Sequence, residues 1–281
     1  MFGRTMNLGI TKSLAGIEYT GQSGISQECI NAVRRLIQYG DRIGQARIIS
    51  CSARHCLLLT VNADDLIAVK SGFSSGYAGE GPHTFSRVLQ LLDAYGAEIE
   101  EYDVNDDVLE RLDLSALTTR DLENLAKARP IRPSRWRIYM LEGGRGRKES
   151  PGLWHGFPLT IPFALMDARI ADLAIGFFER PSENLLSGFR RLEDIVRTRI
   201  GSPEHGVKLF SQAFIGDKSI LRWEGLTGSE QLGRGSLFTA AYMAFRNPRA
   251  HRELKDCDDI LLGEFLILNQ LYGLERECKR R

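Results

Sequence analysis

Hydrophobic positions change their period near the middle of the chain. Up to about residue 140, short apolar runs alternate with helical stripes; beyond residue 160 they recur only at the three- and four-residue spacing of helices. A short opening strand is expected over residues 6–10. A helix over 27–39 follows, with Ile30, Val33 and Ile37 on one face and Arg34 and Arg35 on another. Residues 47–61, rich in Ile, Leu, Cys, Thr and Val, predict a hairpin broken near Ala53-Arg54, and 66–69 another short strand. A helix over 84–95 turns Phe85, Val88, Leu91 and Leu92 inward, and 98–104 alternates as a strand does. Two short acidic helices are expected at 107–112 and 119–128, the second with a Thr-Thr cap and Glu123 placed for a capping box.

The second half predicts helices throughout. One apolar helix spans 165–178. A second spans 182–200, capped by Ser182, with Leu185, Phe189, Leu192 and Val196 as its stripe. A short piece covers 207–214. The helix over 229–246 buries Leu237, Ala241, Ala244 and Phe245, and the last runs from 257 or 258 to 277 with Ile260, Phe265, Leu268 and Leu271 facing in. Short connections between such stripes make an up-down bundle. Between the halves, prolines, glycines and the basic runs 129–137 and 145–148 place a boundary around 142–160. The fold class is therefore α+β: a mixed α/β domain over 1–145 and an all-α bundle over 160–281.

Composition narrows the function. The 281 residues are 43% hydrophobic and 26% charged, a globular balance with room for two domains. A net charge of +1 excludes a protein that grips nucleic acid over its whole surface, so such contact must come from a local patch. Five irregularly spaced cysteines point to reduced thiols in a cytoplasmic compartment, and no apolar run predicts a membrane span or signal peptide. No metal site and no cofactor are expected. Cys51, His55 and Cys56 lie close in sequence, but nothing completes a zinc set, and buried strand thiols are the simpler reading. No Gly-x-Ser-x-Gly elbow is present.

Two stretches carry candidate chemistry. The first is glycine-rich, residues 72–82, and feeds a helix. Gly76, Tyr77, Gly79 and Gly81 are candidates for cradling a phosphate at a helix N-terminus. The competing reading is a tight loop whose glycines supply backbone geometry, and Glu80, which would repel a phosphate, favours it. The second is the hexad Arg246-Asn247-Pro248-Arg249-Ala250-His251. Pro248 suits the first position of a new helix and Asn247 its cap, so a break is expected between two helices. Five positions apart on a straight helix, Arg246 and His251 would diverge by about 140°; a break lets both face one cleft. An exposed basic turn closing a helix pair is the alternative on the residues alone.

Arg246-Asn247, followed after three residues by His251, resembles the signature of HEPN domains (higher eukaryotes and prokaryotes nucleotide-binding). With Gln231-Leu232-Gly233 and the approach from Ala240 to Phe245, the setting is similar to the abortive-infection-like branch, over roughly residues 162–281. The resemblance implies a metal-independent ribonuclease of bacterial defence or toxin systems, acting on RNA as a homodimer with the two hexads in one cleft. Arg246, Asn247 and His251 are its catalytic positions. Arg249 and Arg252 are further candidates for RNA-backbone contact. Phe238, Tyr242 and Phe245 are candidates for dimer contacts where the bundle leaves them exposed. An antitoxin or defence-system partner belongs to the same picture. Residues 1–160 fall outside the resemblance, as a sensor, partner-binding or dimer-holding domain. A noncatalytic helical module binding a nucleotide or a protein is the competing class, distinguished by whether growth arrest depends on His251.

Overall fold

The structure, a computed structural model, describes residues 13–142, 152–251 and 257–281, and at 142, 250 and 251 the backbone alone. The strand expected at 6–10, the basic run 145–148 and Arg252 lie outside the described residues. The chain divides into two compact units, 1–158 and 159–281.

The first unit is a mixed sheet covered on both faces. Its elements are β1 (Glu18–Thr20), α1 (Ser26–Gln38), β2 (Ile43–Cys51), β3 (Arg54–Val61), β4 (Asp65–Ser74), α2 (Glu80–Tyr95), β5 (Glu98–Asp103), α3 (Asp106–Asp113), α4 (Thr119–Lys127) and α5 (Trp136–Glu142). The sheet order is β1-β4-β3-β2-β5. The β2–β3–β4 meander is antiparallel, and the two outer strands run parallel to their neighbours. Side chains of β3 alternate between two cores. Leu57 and Leu59 join Val33, Phe85 and Val88 on one face, while Cys56 and Leu58 join Leu109, Leu112 and Leu125 on the other. Burial on both faces explains why β3 reads as a continuous apolar run.

Several boundaries differ from expectation for local reasons. β4 continues through Gly72 to Ser74, where expectation ended it at 69, and the hydrogen-bonded register Arg54↔Ser74 carries it there. α2 starts at Glu80 and not at 84, which shortens the glycine loop. The capping box of α4 uses Thr118 and Asp121, not Glu123. Asp121 accepts from the Thr118 N–H at 2.9 Å and is also held by Arg111 at 2.7 Å.

The second unit is mainly helical: α6 (Ala171–Ile175), α7 (Pro181–Ile200), α8 (Gly206–Phe214), α9 (Gly228–Ala241), α10 (Asn247–His251) and α11 (Asp258–Glu277). A two-stranded ribbon, β6 (Leu221–Arg222) with β7 (Lys279–Arg280), is an addition to the all-α expectation. The single helix expected over 165–178 is instead a series of short turns. The Asn269 side chain of α11 donates to Leu165 O and accepts from Asp167 N–H, taking backbone groups a helix would need. Ser182 lies inside α7, which opens with Pro181 at its first turn and Arg180 at the cap position. The core stacks Phe214 on Phe238 at 4.2 Å and on Trp223 at 5.3 Å, with Phe210, Tyr242 and Phe265 around them. Ile260 and Leu237, expected inside, are exposed; Leu261, Leu262 and Phe238 fill those places.

A buried polar chain runs through the first unit. His55, fully buried and stacked on Phe85 at 4.5 Å, bonds Ser50 Oγ through Nδ1 and Ser75 Oγ through Nε2, each at 2.8 Å. Ser50 donates to Glu101, which Arg135 and Tyr139 also contact. Burial outweighs the pull of Glu101 and holds the His55 pKa down to about 4, so the native imidazole is neutral. Between pH 6.5 and about 4 the unfolded chain then binds the extra proton, so stability falls as pH falls through that window. The expected loss is on the order of 3 kcal/mol. His55→Gln should flatten this slope in urea unfolding followed at pH 7, 5.5 and 4.5; an unchanged slope would refute the assignment.

Candidate functional site around Arg246

The hexad does not interrupt its helix. Asn247 has φ −63° and ψ −45°, helical values, and the chain passes from α9 through a π turn, Tyr242–Arg246, into α10. The expected break and Asn247 cap are therefore corrected. Pro248 has no N–H to give and would clash with the carbonyl four residues earlier in a regular helix. The π turn widens the backbone there, and the Asn247 N–H reaches back five residues to Tyr242 O. Since Asn247 caps nothing, its side-chain amide makes no hydrogen bond among the described residues.

Tyr242 organises what surrounds Arg246. Its ring is 4% exposed and meets Phe210 and Phe189 edge-on at 5.5 and 6.3 Å. Its hydroxyl donates to Glu193 Oε2 at 3.0 Å. Burial, then the bond and charge of Glu193, push the phenol up to about 12, so it remains a donor. Gly206, left-handed at φ +58°, lets the chain pass close to this ring; a Cβ there would sit 3.1 Å from it. Glu193, itself 5% exposed, also accepts from Gly206 N–H at 3.0 Å and Arg197 at 2.9 Å. His205, exposed, bonds Arg197 through Nδ1 at 2.7 Å.

Arg246 lies over the outer side of this cluster. Its guanidinium carbon is 5.0 Å from the Tyr242 ring centroid, a cation–π distance. Its Nε is buried and has no partner. No carboxylate among the described residues pairs with it. Arg249 differs: its side chain is 3% exposed and forks onto Glu264 of α11, with Nε at 3.1 Å. Its charge ties α10 to α11, in contrast to the expected position on an RNA backbone. α10 carries the backbone of His251.

The glycine-rich loop folds on itself. Tyr77 OH bonds Ser74 Oγ at 2.9 Å, and its ring occupies the space a Cβ at Gly79 would need, 2.5 Å away. Gly76 takes φ +85°. Gly81 would strike Ser74 Oγ at 2.1 Å. These glycines are accounted for by close approach and backbone conformation.

Sequence reasoning passed over Glu193, Arg197, His205 and Tyr242 as a cluster. One signal was present: Glu193 stands four residues after Phe189, on the inward stripe of α7, where a carboxylate needs partners. Among the described residues no group of three His, Cys, Asp or Glu side chains could hold a metal ion, and no helix is long and apolar enough to cross a membrane.

A family model described as a protein of unknown function (Hypoth_ymh) matches residues 180–270, about a third of the chain, which includes the hexad and the Glu193 cluster. No curated protein matches. Among solved structures, a chain of respiratory complex I from Thermus thermophilus matches at 20% identity with a TM-score of 0.35, over 44% of this chain and 99% of that one.

Proposed function

We propose that this chain is a metal-independent endoribonuclease of the HEPN type, a toxin or phage-defence effector acting as a homodimer. The observation that carries the reading is the state of Arg246. Five carboxylates are buried among the described residues, Glu101, Asp121, Asp167, Glu193 and Glu275, and each is held by an arginine. Arg246 is instead fixed by an aromatic ring and has no carboxylate partner among the described residues. A guanidinium held this way presents a fork to two nonbridging phosphate oxygens. The free amide of Asn247 beside it would orient the same phosphate.

The chemistry needs no nucleophile from the protein. The ribose 2′-oxygen attacks the adjacent phosphorus, His251 takes its proton, and the 5′-oxygen leaves with a proton returned to it. Arg246 neutralises the charge gathering on the phosphorane. On an unbroken helix residues 246 and 251 stand about 9 Å apart at Cα but face about 140° apart, so in this reading it is the pairing of two hexads in the homodimer that would bring an arginine and a histidine to one phosphate.

Exposed surface supports a dimer. Gly233, Leu237, Ala240 and Ala244 form an exposed stripe along α9 and the π turn, and Ile260, Gly263 and Ile267 another along α11. Gly233 and Gly263 each cost a helix interior about 1 kcal/mol relative to alanine. Space around both is open, so nothing inside the protomer requires glycine. Close approach of a second copy would. Phe238 and Tyr242 belong to the protomer core and leave that role to these stripes.

Purified protein should cut single-stranded RNA in excess EDTA, spare DNA and leave 2′,3′-cyclic phosphate and 5′-hydroxyl ends. Arg246→Ala should lower kcat by about 10²–10³ and His251→Ala by about 10²–10⁴, with Arg246→Lys failing as well. Cleavage that requires magnesium, or that survives both alanine variants, points to a noncatalytic module.

Tyr242→Phe separates support from chemistry. It keeps the ring under Arg246 but strands a lone pair of buried Glu193, so stability should drop by about 1–3 kcal/mol with kcat nearly unchanged. A large loss of kcat in the folded variant would give the hydroxyl a direct part in cleavage.

The dimer has its own test. Leu237→Arg should yield monomers by analytical ultracentrifugation and remove cleavage, whereas a monomer with full activity would exclude a shared cleft.

A further inference from the structure

A second arginine in the molecule has a buried nitrogen with no partner, and it lies in the other unit. Arg34, on α1, is 4% exposed. Its Nη1 donates to Asn31 Oδ1 at 3.0 Å, an oxygen already shared with Gln27 at 2.9 Å. Its Nε is buried and unpartnered. The 3₁₀ turn Leu153–Gly156 packs on α2 and against this guanidinium. A Cβ on Gly156 would fall 2.0 Å from Nη2, so glycine leaves the space that the head group occupies.

Arg87, half-buried on the adjoining α2, adds a second positive charge. Burial first, then repulsion from Arg87, lowers the Arg34 pKa, and no carboxylate opposes them. Neither arginine has an ion-pair partner among the described residues. An unpaired buried cation is among the most expensive groups a fold can carry. A buried Arg34 and a half-buried Arg87, each without an ion-pair partner among the described residues, together favour the uptake of an anion.

We infer that Arg34 and Arg87, with Asn31 beside them and the Gly156 backbone as a wall, form a binding site for a phosphate-bearing anion. Two guanidiniums match the double charge of a phosphate group better than the single charge of a carboxylate, and the fork geometry of each suits its oxygens. The exposed Trp154, stacked on Phe157 at 5.8 Å, flanks Gly156 and would border whatever the phosphate is attached to. The site is independent of the ribonuclease reading, since it uses no residue of the second unit.

Thermal unfolding of the full chain in millimolar inorganic phosphate, or in adenosine monophosphate, against sodium chloride of equal ionic strength, tests it. Phosphate should raise Tm by about 3 °C or more beyond the chloride control. A larger rise with the nucleotide would identify a nucleotide source, and equal rises would identify free phosphate. Arg34→Met should abolish the rise and leave the ligand-free Tm at or above wild type, because a costly unpaired charge has been removed. Arg87→Gln, read by isothermal titration with phosphate, should weaken binding at least tenfold, and exposed Arg35→Gln should not change it. The inference is overturned if phosphate acts no more strongly than chloride. It is also overturned if Arg34→Met lowers the ligand-free Tm sharply, which would mean that a protein group already satisfies Arg34. Should Arg34→Met not fold, the Arg87→Gln titration decides alone.

Discussion

A charge moved out of water loses several kcal/mol of hydration and must recover it from its partners. Both units of this chain are arranged around that constraint. Glu275 sits at 2% exposure between Arg169 and Arg199, each at 2.5 Å, and so joins the start of the second unit, α7 and the end of α11. Glu101 does the same on β5, drawing in Arg135, just before α5, Tyr139 of α5 and, through Ser50, the imidazole of His55. Glu193 fastens Tyr242, Arg197 and the Gly206 turn. Removing one partner from such a set strands the other, which costs more than the pair contributed. These contacts therefore specify where elements dock more than they add to net stability. Against that background, Arg34 and Arg246 are the two arginines with an unpartnered buried nitrogen among the described residues.

The π turn at Tyr242–Arg246 shows how local backbone chemistry serves the same arrangement. A regular helix through Pro248 would lose a hydrogen bond and collide with an earlier carbonyl. Widening one turn accommodates the ring while the chain stays helical on both sides. At the start of that turn Tyr242 packs into the core against Phe189 and Phe210, and Arg246 lies over its ring. π turns are frequent at functional sites, and here the residue forcing the turn lies two positions from the arginine in question.

Much of the architecture was legible in the sequence because it depends on period alone. The continuous apolar run of β3, buried on both faces, and the stripe of α7 are fixed by which side chains must leave water. What escaped was decided by tertiary hydrogen bonds. Asn269 breaks up 165–178 from a hundred residues away, and the register with β3 extends β4 into a glycine-rich stretch that resembled a loop. The candidate site divides in the same manner. Arg246, Asn247 and His251 could be chosen only by their resemblance to a known signature, since residue type and spacing alone leave a basic turn equally open. The commitment of Arg249 to Glu264 could not, because it depends on α11 passing alongside α10.

That commitment also sharpens the case for Arg246. Two arginines three positions apart on one helix begin with the same charge and similar reach, and the fold treats them oppositely. Arg249 is neutralised by a carboxylate inside the protein and becomes part of the scaffold. Arg246 is given a ring, which orients a guanidinium through its face yet leaves its edge donors available. A fold seeking only stability had acidic residues to spare on α11, where Asp258 and Asp259 open the helix exposed. Holding one arginine in place with no carboxylate partner among the described residues, next to a neutralised neighbour, is the arrangement that the proposed ribonuclease site calls for: position fixed in advance, charge kept for the ligand.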